Sequence, residues 1–501
     1  MDGAELRRML GEPKKAIRSL AWALLFSYLV IQVNLFVDTA WASGLGDSDL
    51  SALSMMAPVY WLIAGVGVGL GVGASACISF RIGKDDMRRA SALAENAIVL
   101  GLISSAATAL IVWVLLDPII SFMGADDVRE GCREYAFPFI ALAGAIIMNG
   151  VVSGLLRSEG AGKRSIIILT VSAGLNMVLD PALIYWAGMG ISGAGWATSI
   201  GALASTLIGL YWYMDGSMNV RISFRGYRPD RASMSELMGI AGPRTTEATV
   251  TSVTNIIQRV FIIIAGGTVA VMMYNVPFRY CTLIAAVSEA IGAAMIPVCS
   301  AAIGQGDIPK MKLGLSYSAR ISAAVTVALS AAVFILAEPL IGIFTTEPSM
   351  AEHSDEMVWV LRMFCIFIPF DGLRKLGSCM LQVLRRSKMS SRLVLIWGVA
   401  KLAAYAAVCT VSFHALIIAC VAVYIFGGIL MTGTALWISS KTDYRNAPAE
   451  PGGADRSGRQ GPRSKQHDAE FMVLQAGFEP ESRPRKGRMI GRYTTGAVPV
   501  P

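Results

Sequence analysis

The chain has 501 residues, 54% of them hydrophobic and only 16% charged, with 50 glycines and a mean hydropathy of +0.57. That excludes an ordinary soluble domain and points to a polytopic membrane protein. The net charge of +8 lies mostly in alternate loops and in the tail, so it is a topology signal and nucleic acid is not an expected partner.

In chain order, apolar runs long enough to span a bilayer recur about twelve times. They cover roughly 17 to 42, 51 to 80, 90 to 116, 132 to 156, 165 to 187, 191 to 214, 236 to 265, 269 to 300, 313 to 337, 356 to 384, 391 to 412 and 414 to 438. The first run is too long for a cleavable signal peptide. Basic residues follow alternate runs: Arg7, Arg8, Lys14, Lys15 and Arg18 before the first, Arg81, Lys84, Arg88 and Arg89 after the second, Arg157, Lys163 and Arg164 after the fourth. Arg221, Arg225, Arg228 and Arg231 follow the sixth, and Arg385, Arg386, Lys388 and Arg392 the tenth. The positive-inside rule then places both termini in the cytoplasm, in a multi-pass protein of the cell membrane. The eight cysteines contain no C-x-x-C and the three histidines are scattered, so neither a disulfide framework nor a histidine-built metal site is expected.

The two halves repeat. Ile82-Gly83 matches Ile303-Gly304, and Leu116-Asp117-Pro118-Ile119-Ile120 matches Ala337-Glu338-Pro339-Leu340-Ile341, at an offset of about 221 residues that drifts to about 231 at Pro138-Phe139 and Pro369-Phe370. The expected architecture is an all-α integral membrane protein of about twelve transmembrane helices in two parallel-repeat six-helix bundles, with the substrate path between them. Residues 1–214 form the first bundle, 215–232 a basic cytoplasmic linker, 233–440 the second bundle, and 441–501 a Pro-, Gly- and Arg-rich tail expected to be disordered.

The polar residues within these runs carry the functional expectation. Asn34 and Asp38 in the first run, and Asn176 and Asp180 in the fifth, are each spaced i, i+4, which puts amide and carboxylate on one helix face. Counting from the outer turns at Gly44 and Gly188, Asp38, Asp180 and Thr198 all sit roughly 9 to 15 Å below the outer surface at 1.5 Å per residue. A carboxylate at that depth is costly and usually marks an ion or substrate pathway. The plainer alternative is that the asparagines bond between helices while the carboxylates face water.

The second half is denser in charge, with Arg244, Glu247, Arg259, Arg279, Glu289, Asp371, Arg374, Lys375 and Lys401 in or near its runs. Two readings stand: mutual pairing, or a polar cavity for substrate. Gly65, Gly67, Gly69, Gly71 and Gly73 alternate in the second run and indicate close helix packing, because no strand and no Gly-Lys-Ser/Thr accompanies them as a phosphate loop needs. Asp85-Asp86 reads as a solvated loop before it reads as half of a metal-diphosphate motif.

Taken together, Val37-Asp38, Gly44-Leu45-Gly46, Ile82-Gly83-Lys84, Leu156-Arg157-Ser158-Glu159-Gly160, Asn176-Met177-Val178-Leu179-Asp180-Pro181 and Gly193-Ala194-Gly195-Trp196-Ala197-Thr198 resemble the multidrug and toxic compound extrusion (MATE) transporters over about residues 10 to 440. The resemblance implies a non-enzymatic secondary antiporter that exports drugs or other organic solutes in exchange for H⁺ or Na⁺, needs no cofactor, meets membrane lipid and works as a monomer. It implies that Asp38, Asn176, Asp180 and Thr198 form the cation site, with Na⁺ the only metal ion expected, and that Asn34 and Tyr135 lie nearby. It places Glu247 and Asp371 where relatives carry acidic residues of the second bundle. Ala23 stands where relatives commonly carry a proline, so a proline-bent first helix is not expected. The alternatives are a lipid-linked oligosaccharide flippase of the same wider superfamily and, more remotely, a membrane-embedded prenyltransferase-like enzyme.

Overall fold

The computed structural model describes residues 4–123, 125–225, 227, 229–343 and 352–441. All but the first residue of the expected tail lies outside the described residues, as does Arg228 of the linker. Among the described residues every regular element is a helix. A short α1 (Ala4–Leu10) precedes α2 (Pro13–Ser43), α3 (Asp47–Gly83) and α4 (Met87–Phe122). Then come α5 (Arg129–Ala141), α6 (Ala143–Ser158), α7 (Gly162–Pro181) and α8 (Gly190–Met214). The second half runs through α9 (Arg231–Gly267), α10 (Val269–Gly304), α11 (Ile308–Ile335), the short α12 (Ala337–Gly342), α13 (Ser354–Val383), α14 (Ser387–Val408) and α15 (Phe413–Lys441).

Ten of these helices are long and apolar enough to cross a membrane, or eleven with the α5–α6 pair, which bends by 52°, taken as one span. Helix α13 is also long enough at 30 residues, but Asp371, Arg374 and Lys375 within it dilute the apolar signal, and with it the count reaches the expected twelve. Helices α9 and α10 are divided at Gly266 and Gly267, where Gly267 adopts φ 68° and ψ −161°, a left-handed conformation that a side chain disfavours. Helix α2 runs from Pro13 to Ser43 with Ala23 inside it.

The alternating glycines have a geometric cause. On a helix, residues two apart point to nearly opposite sides, so the five glycines divide into two faces. Gly67 and Gly71 lie against α6 at Ile147 and Gly150, where a Cβ on Gly67 would meet the Ile147 carbonyl oxygen at 2.6 Å. Gly65, Gly69 and Gly73 lie against Ala248, Thr245 and Ala241 of α9. One helix thus packs backbone-close into its own bundle and across to the other. Cross-bundle packing runs mainly through α2 and α3 against α9, α10 and α11, with smaller contributions from α4 and α6, while α7 and α8 pack chiefly within the first bundle and α13, α14 and α15 within the second.

At one end of the molecule the bundles are tied by charge. Arg81 of α3 and Arg385, which follows α13, both reach Glu236 of α9, at 2.7 and 2.9 Å, and the Arg385 guanidinium lies over the Phe80 ring at 4.1 Å. The linker is held at this end too. Buried Glu159 accepts the backbone N–H groups of Asn219 and Val220 at 2.7 and 3.1 Å, Glu95 accepts that of Ser223 at 2.9 Å, and Tyr227 donates to Asn96 at 2.9 Å. Asp86 caps α4 by accepting the Arg89 N–H at 3.1 Å, in line with the solvated-loop reading of Asp85-Asp86.

Candidate functional site

Helices α7 and α8 meet closely because Gly193 abuts the backbone of Leu183 and Ile184, Gly201 abuts the Ser172 carbonyl, and Gly195 abuts that of Tyr135 on α5; a Cβ at Gly201 would lie 2.5 Å from the Ser172 oxygen. This places Thr198 of α8 beside Asn176 of α7. After Pro181 the chain makes a π turn over Ala182–Trp186, closed by Ala187 N–H donating to the Ala182 carbonyl at 2.9 Å, so Asp180 sits at the end of the regular helix. Such turns recur at functional sites.

Asn176 donates from Nδ2 to Asp180 Oδ1 at 3.2 Å and to Thr198 Oγ1 at 3.1 Å. Thr198 passes its own proton to the Ala194 carbonyl at 3.1 Å. On α2 the same arrangement recurs, with Asn34 Nδ2 bridging both Asp38 oxygens at 3.2 and 3.1 Å. The carboxyl groups of Asp38 and Asp180 lie within hydrogen-bonding range of each other, so the depth-matched residues are brought together. Asp180 is fully buried, and its Oδ2, with Oδ1 of Asn176 and of Asn34, has no donor among the described residues. Among the described residues no cation lies within ion-pair distance of either carboxylate. Two carboxylates, two amide oxygens and a hydroxyl make an all-oxygen set, which suits Na⁺ or a shared proton and not a soft transition metal.

Tyr135 packs edge-on against Phe139 at 4.8 Å and stands within electrostatic reach of both carboxylates. Sequence reading missed Tyr60 of α3, which packs on the same Phe139 at 5.3 Å and also stands near Asp38.

The second bundle is built differently, since Glu247, Glu289 and Asp371 within its helices each hold a cation. Glu247 accepts from Arg244 at 2.8 Å and from the Ser378 hydroxyl at 2.6 Å. Asp371 is clasped by both Nε and an Nη of Arg374, at 2.9 and 2.7 Å, with Lys375 at 3.5 Å, and Lys375 also reaches Glu289 at 2.6 Å. The pairing reading therefore holds for Glu247, Glu289 and Asp371. Neither Glu247 nor Asp371 joins the Asp38–Asp180 cluster.

A family model for MatE matches residues 23–182 and 245–402. The chain is 22% identical over 387 residues to the multidrug export protein MepA of Staphylococcus aureus, covering 77% of this chain and 85% of that protein. It is 26% identical over 330 residues to an FAD transporter of Shewanella oneidensis, covering 65% of this chain and 73% of that one. A crystal structure of MATE in complex with MaL6 superposes with a TM-score of 0.83 at 26% identity, covering 88% of this chain and 99% of that one.

Proposed function

The chain belongs to the MatE family of membrane transporters and is not an enzyme, and from that premise we propose that it is a secondary active antiporter exporting small organic solutes in exchange for H⁺ or Na⁺. The observation that carries this reading is the contact of Asp38 with Asp180 without a neutralising cation among the described residues. Two carboxylates in a low-dielectric site repel when both are ionised, and a proton or Na⁺ between them relieves the repulsion. Asn176, Asn34 and Thr198 supply neutral oxygens around them and hold the carboxylates in place.

Ion occupancy drives transport only if the ion binds one access state better than the other. The two aspartates lie on different helices, and α2 packs on both the first bundle and α9–α10, whereas α7 stays in the first bundle. Moving α2 during a switch between bundles therefore changes the Asp38–Asp180 separation and with it the ion affinity. The Arg81–Glu236–Arg385 tie closes one end, and positive-inside bias makes that end, with both termini, the cytoplasmic one. In this reading the protein acts as a monomer in the cell membrane.

The test is efflux of ethidium from proteoliposomes holding the purified full-length protein, with pH and Na⁺ gradients imposed separately. Efflux accelerated by one gradient and abolished by an ionophore that collapses it supports antiport. Efflux equal with and without both gradients overturns it.

A further inference from the structure

Helix α9 carries Thr251, Asn255 and Arg259 at i, i+4 spacing, one polar stripe on one face. Arg259 donates to the Ser54 carbonyl of α3 at 3.5 Å, so at Arg259 the stripe faces the first bundle, along the substrate path expected between the two. Behind it lies Lys401 of α14, fully buried, whose Nζ donates to Asn255 Oδ1 at 3.0 Å. The rings of Trp397, Tyr424 and Tyr405 surround the same ammonium at 5.3, 5.4 and 5.9 Å. Aromatic faces stabilise a desolvated cation.

Among the described residues no carboxylate lies within ion-pair distance of Lys401 or Arg259, because Glu247, Glu289 and Asp371 are engaged by Arg244, Lys375 and Arg374. The second bundle thus keeps cations beyond its paired charges. An ammonium has donors and no acceptor, so its bond to Asn255 occupies the amide oxygen and turns the NH₂ group the other way. Asn255 is exposed. The cleft wall therefore presents guanidinium and amide N–H groups, backed by a buried positive charge, and its one amide acceptor is already taken. Charged ligands inside a membrane protein are met by groups of opposite sign.

We infer that Arg259, Asn255 and Lys401 form an anion subsite in the second-bundle wall of the cleft, which takes the carboxylate or phosphate oxygens of the exported solute. This rests on the exporter reading above and adds a substrate class to it: organic solutes carrying an anionic group, beside cations such as the ethidium used to follow transport.

The purified full-length protein in nanodiscs is titrated with riboflavin and with riboflavin 5′-phosphate, which share a ring system and differ by one phosphate. The expected result is about tenfold tighter binding of the phosphate ester, the usual scale of a hydrogen bond to a charged group. Arg259→Gln and Lys401→Gln should each remove that preference, and Arg259→Lys should keep most of it. Arg259 is only half-buried, so its variants test the subsite even if Lys401→Gln fails to fold. Equal affinity for the two flavins, or a preference that survives Arg259→Gln, overturns the subsite. Ethidium efflux by the unaltered protein is followed in parallel. Its independence of both gradients, with the binding preference intact, would remove the antiport reading and support the subsite alone.

Discussion

The two bundles share a topology and differ in how they hold charge. In the first, Asp38 and Asp180 face each other with amides, a hydroxyl and tyrosines around them and no cation in ion-pair range among the described residues. In the second, Glu247, Glu289 and Asp371 each hold a cation, and Lys401 and Arg259 remain beyond those pairs. Repeating a fold does not repeat its electrostatics. Two facing carboxylates without a cation among the described residues stand on one side and a set of ion pairs on the other, a division that fits ion coupling in one bundle and solute recognition in its partner.

The sharpest way to break that contrast is to remove a charge from the first bundle. Asp180→Asn mimics the protonated form and should fold, yet lower gradient-driven ethidium efflux to the level of empty vesicles. Asp38→Asn should behave alike, and the double variant should be scarcely worse, because a pair that titrates as a unit is disabled by either loss. Near-normal driven efflux in Asp180→Asn would exclude the cluster from coupling.

The matching change in the second bundle should act on stability instead. Asp371→Asn strips Arg374 of its carboxylate, and removing one partner of a buried pair destabilises by about 3–5 kcal/mol. Arg374 also stacks on Trp397 at 4.3 Å, so it is held in place and cannot follow the lost charge to water. Adding Arg374→Met to Asp371→Asn should recover much of the loss, whereas Asp180→Asn should leave the melting temperature level or higher. Thermal unfolding of the three purified variants measures this. Equal melting temperatures for Asp371→Asn and Asp180→Asn would dissolve the distinction between the bundles.

How far this was legible depends on range along the chain. The i, i+4 pairs Asn34–Asp38 and Asn176–Asp180, and the i, i+3 pairs Arg244–Glu247 and Arg374–Asp371, follow from helix geometry once the runs are identified. The Asp38–Asp180 contact joins residues far apart in the chain and was reachable through depth, since both are counted from the same membrane surface. Lys401 on Asn255, Lys375 on Glu289 and Glu236 between two arginines were not reachable. They depend on how helices are rotated about their axes, which apolar periodicity fixes poorly in helices that are hydrophobic on several sides. The glycine series announced close packing, but its division between two partners appears only with α6 and α9 in place.

A smaller effect tests whether the bundles move as units. Glu236→Gln leaves Arg81 and Arg385 without their shared carboxylate and should favour opening of the closed end about tenfold, the scale of a charged hydrogen bond. Ser300, only 4% exposed, lies close by, beside Phe80 and Gln382. With the eight native cysteines replaced by alanine, Ser300→Cys should react with a maleimide about tenfold faster when Glu236→Gln is added. An unchanged rate would mean that backbone packing at Gly83 and Gly304, not charge, keeps this end shut.

The smallest effects lie in the linker, whose two ends should answer pH oppositely. At the second-bundle end Asp230 caps α9, accepting the N–H groups of Ala232 and Ser233 at 3.1 Å each and the Ser233 hydroxyl at 2.6 Å. The Ser233 hydroxyl foremost, with those N–H groups, holds its carboxyl below the ordinary carboxylate range. A depressed value means stability that is present above the unfolded pKa and lost as pH falls through the folded one, so the cap is complete at neutral pH and fails in acid. At the first-bundle end burial raises Glu159 above its ordinary value, against the bonds from Val220 and Asn219. There the sign reverses. The protonated form is favoured by folding, and this end is most stable below the unfolded pKa, losing stability as pH rises through the raised value. Asp230→Ala should therefore weaken hydrogen-exchange protection over the first turn of α9 by about 1 kcal/mol at neutral pH, the usual worth of an N-cap, and by almost nothing in acid. Glu159→Gln keeps an acceptor for Asn219 and Val220 and removes the titration, so it should flatten the pH dependence of protection at those two amides. Parallel pH profiles at the two ends would show that the linker follows one bundle only.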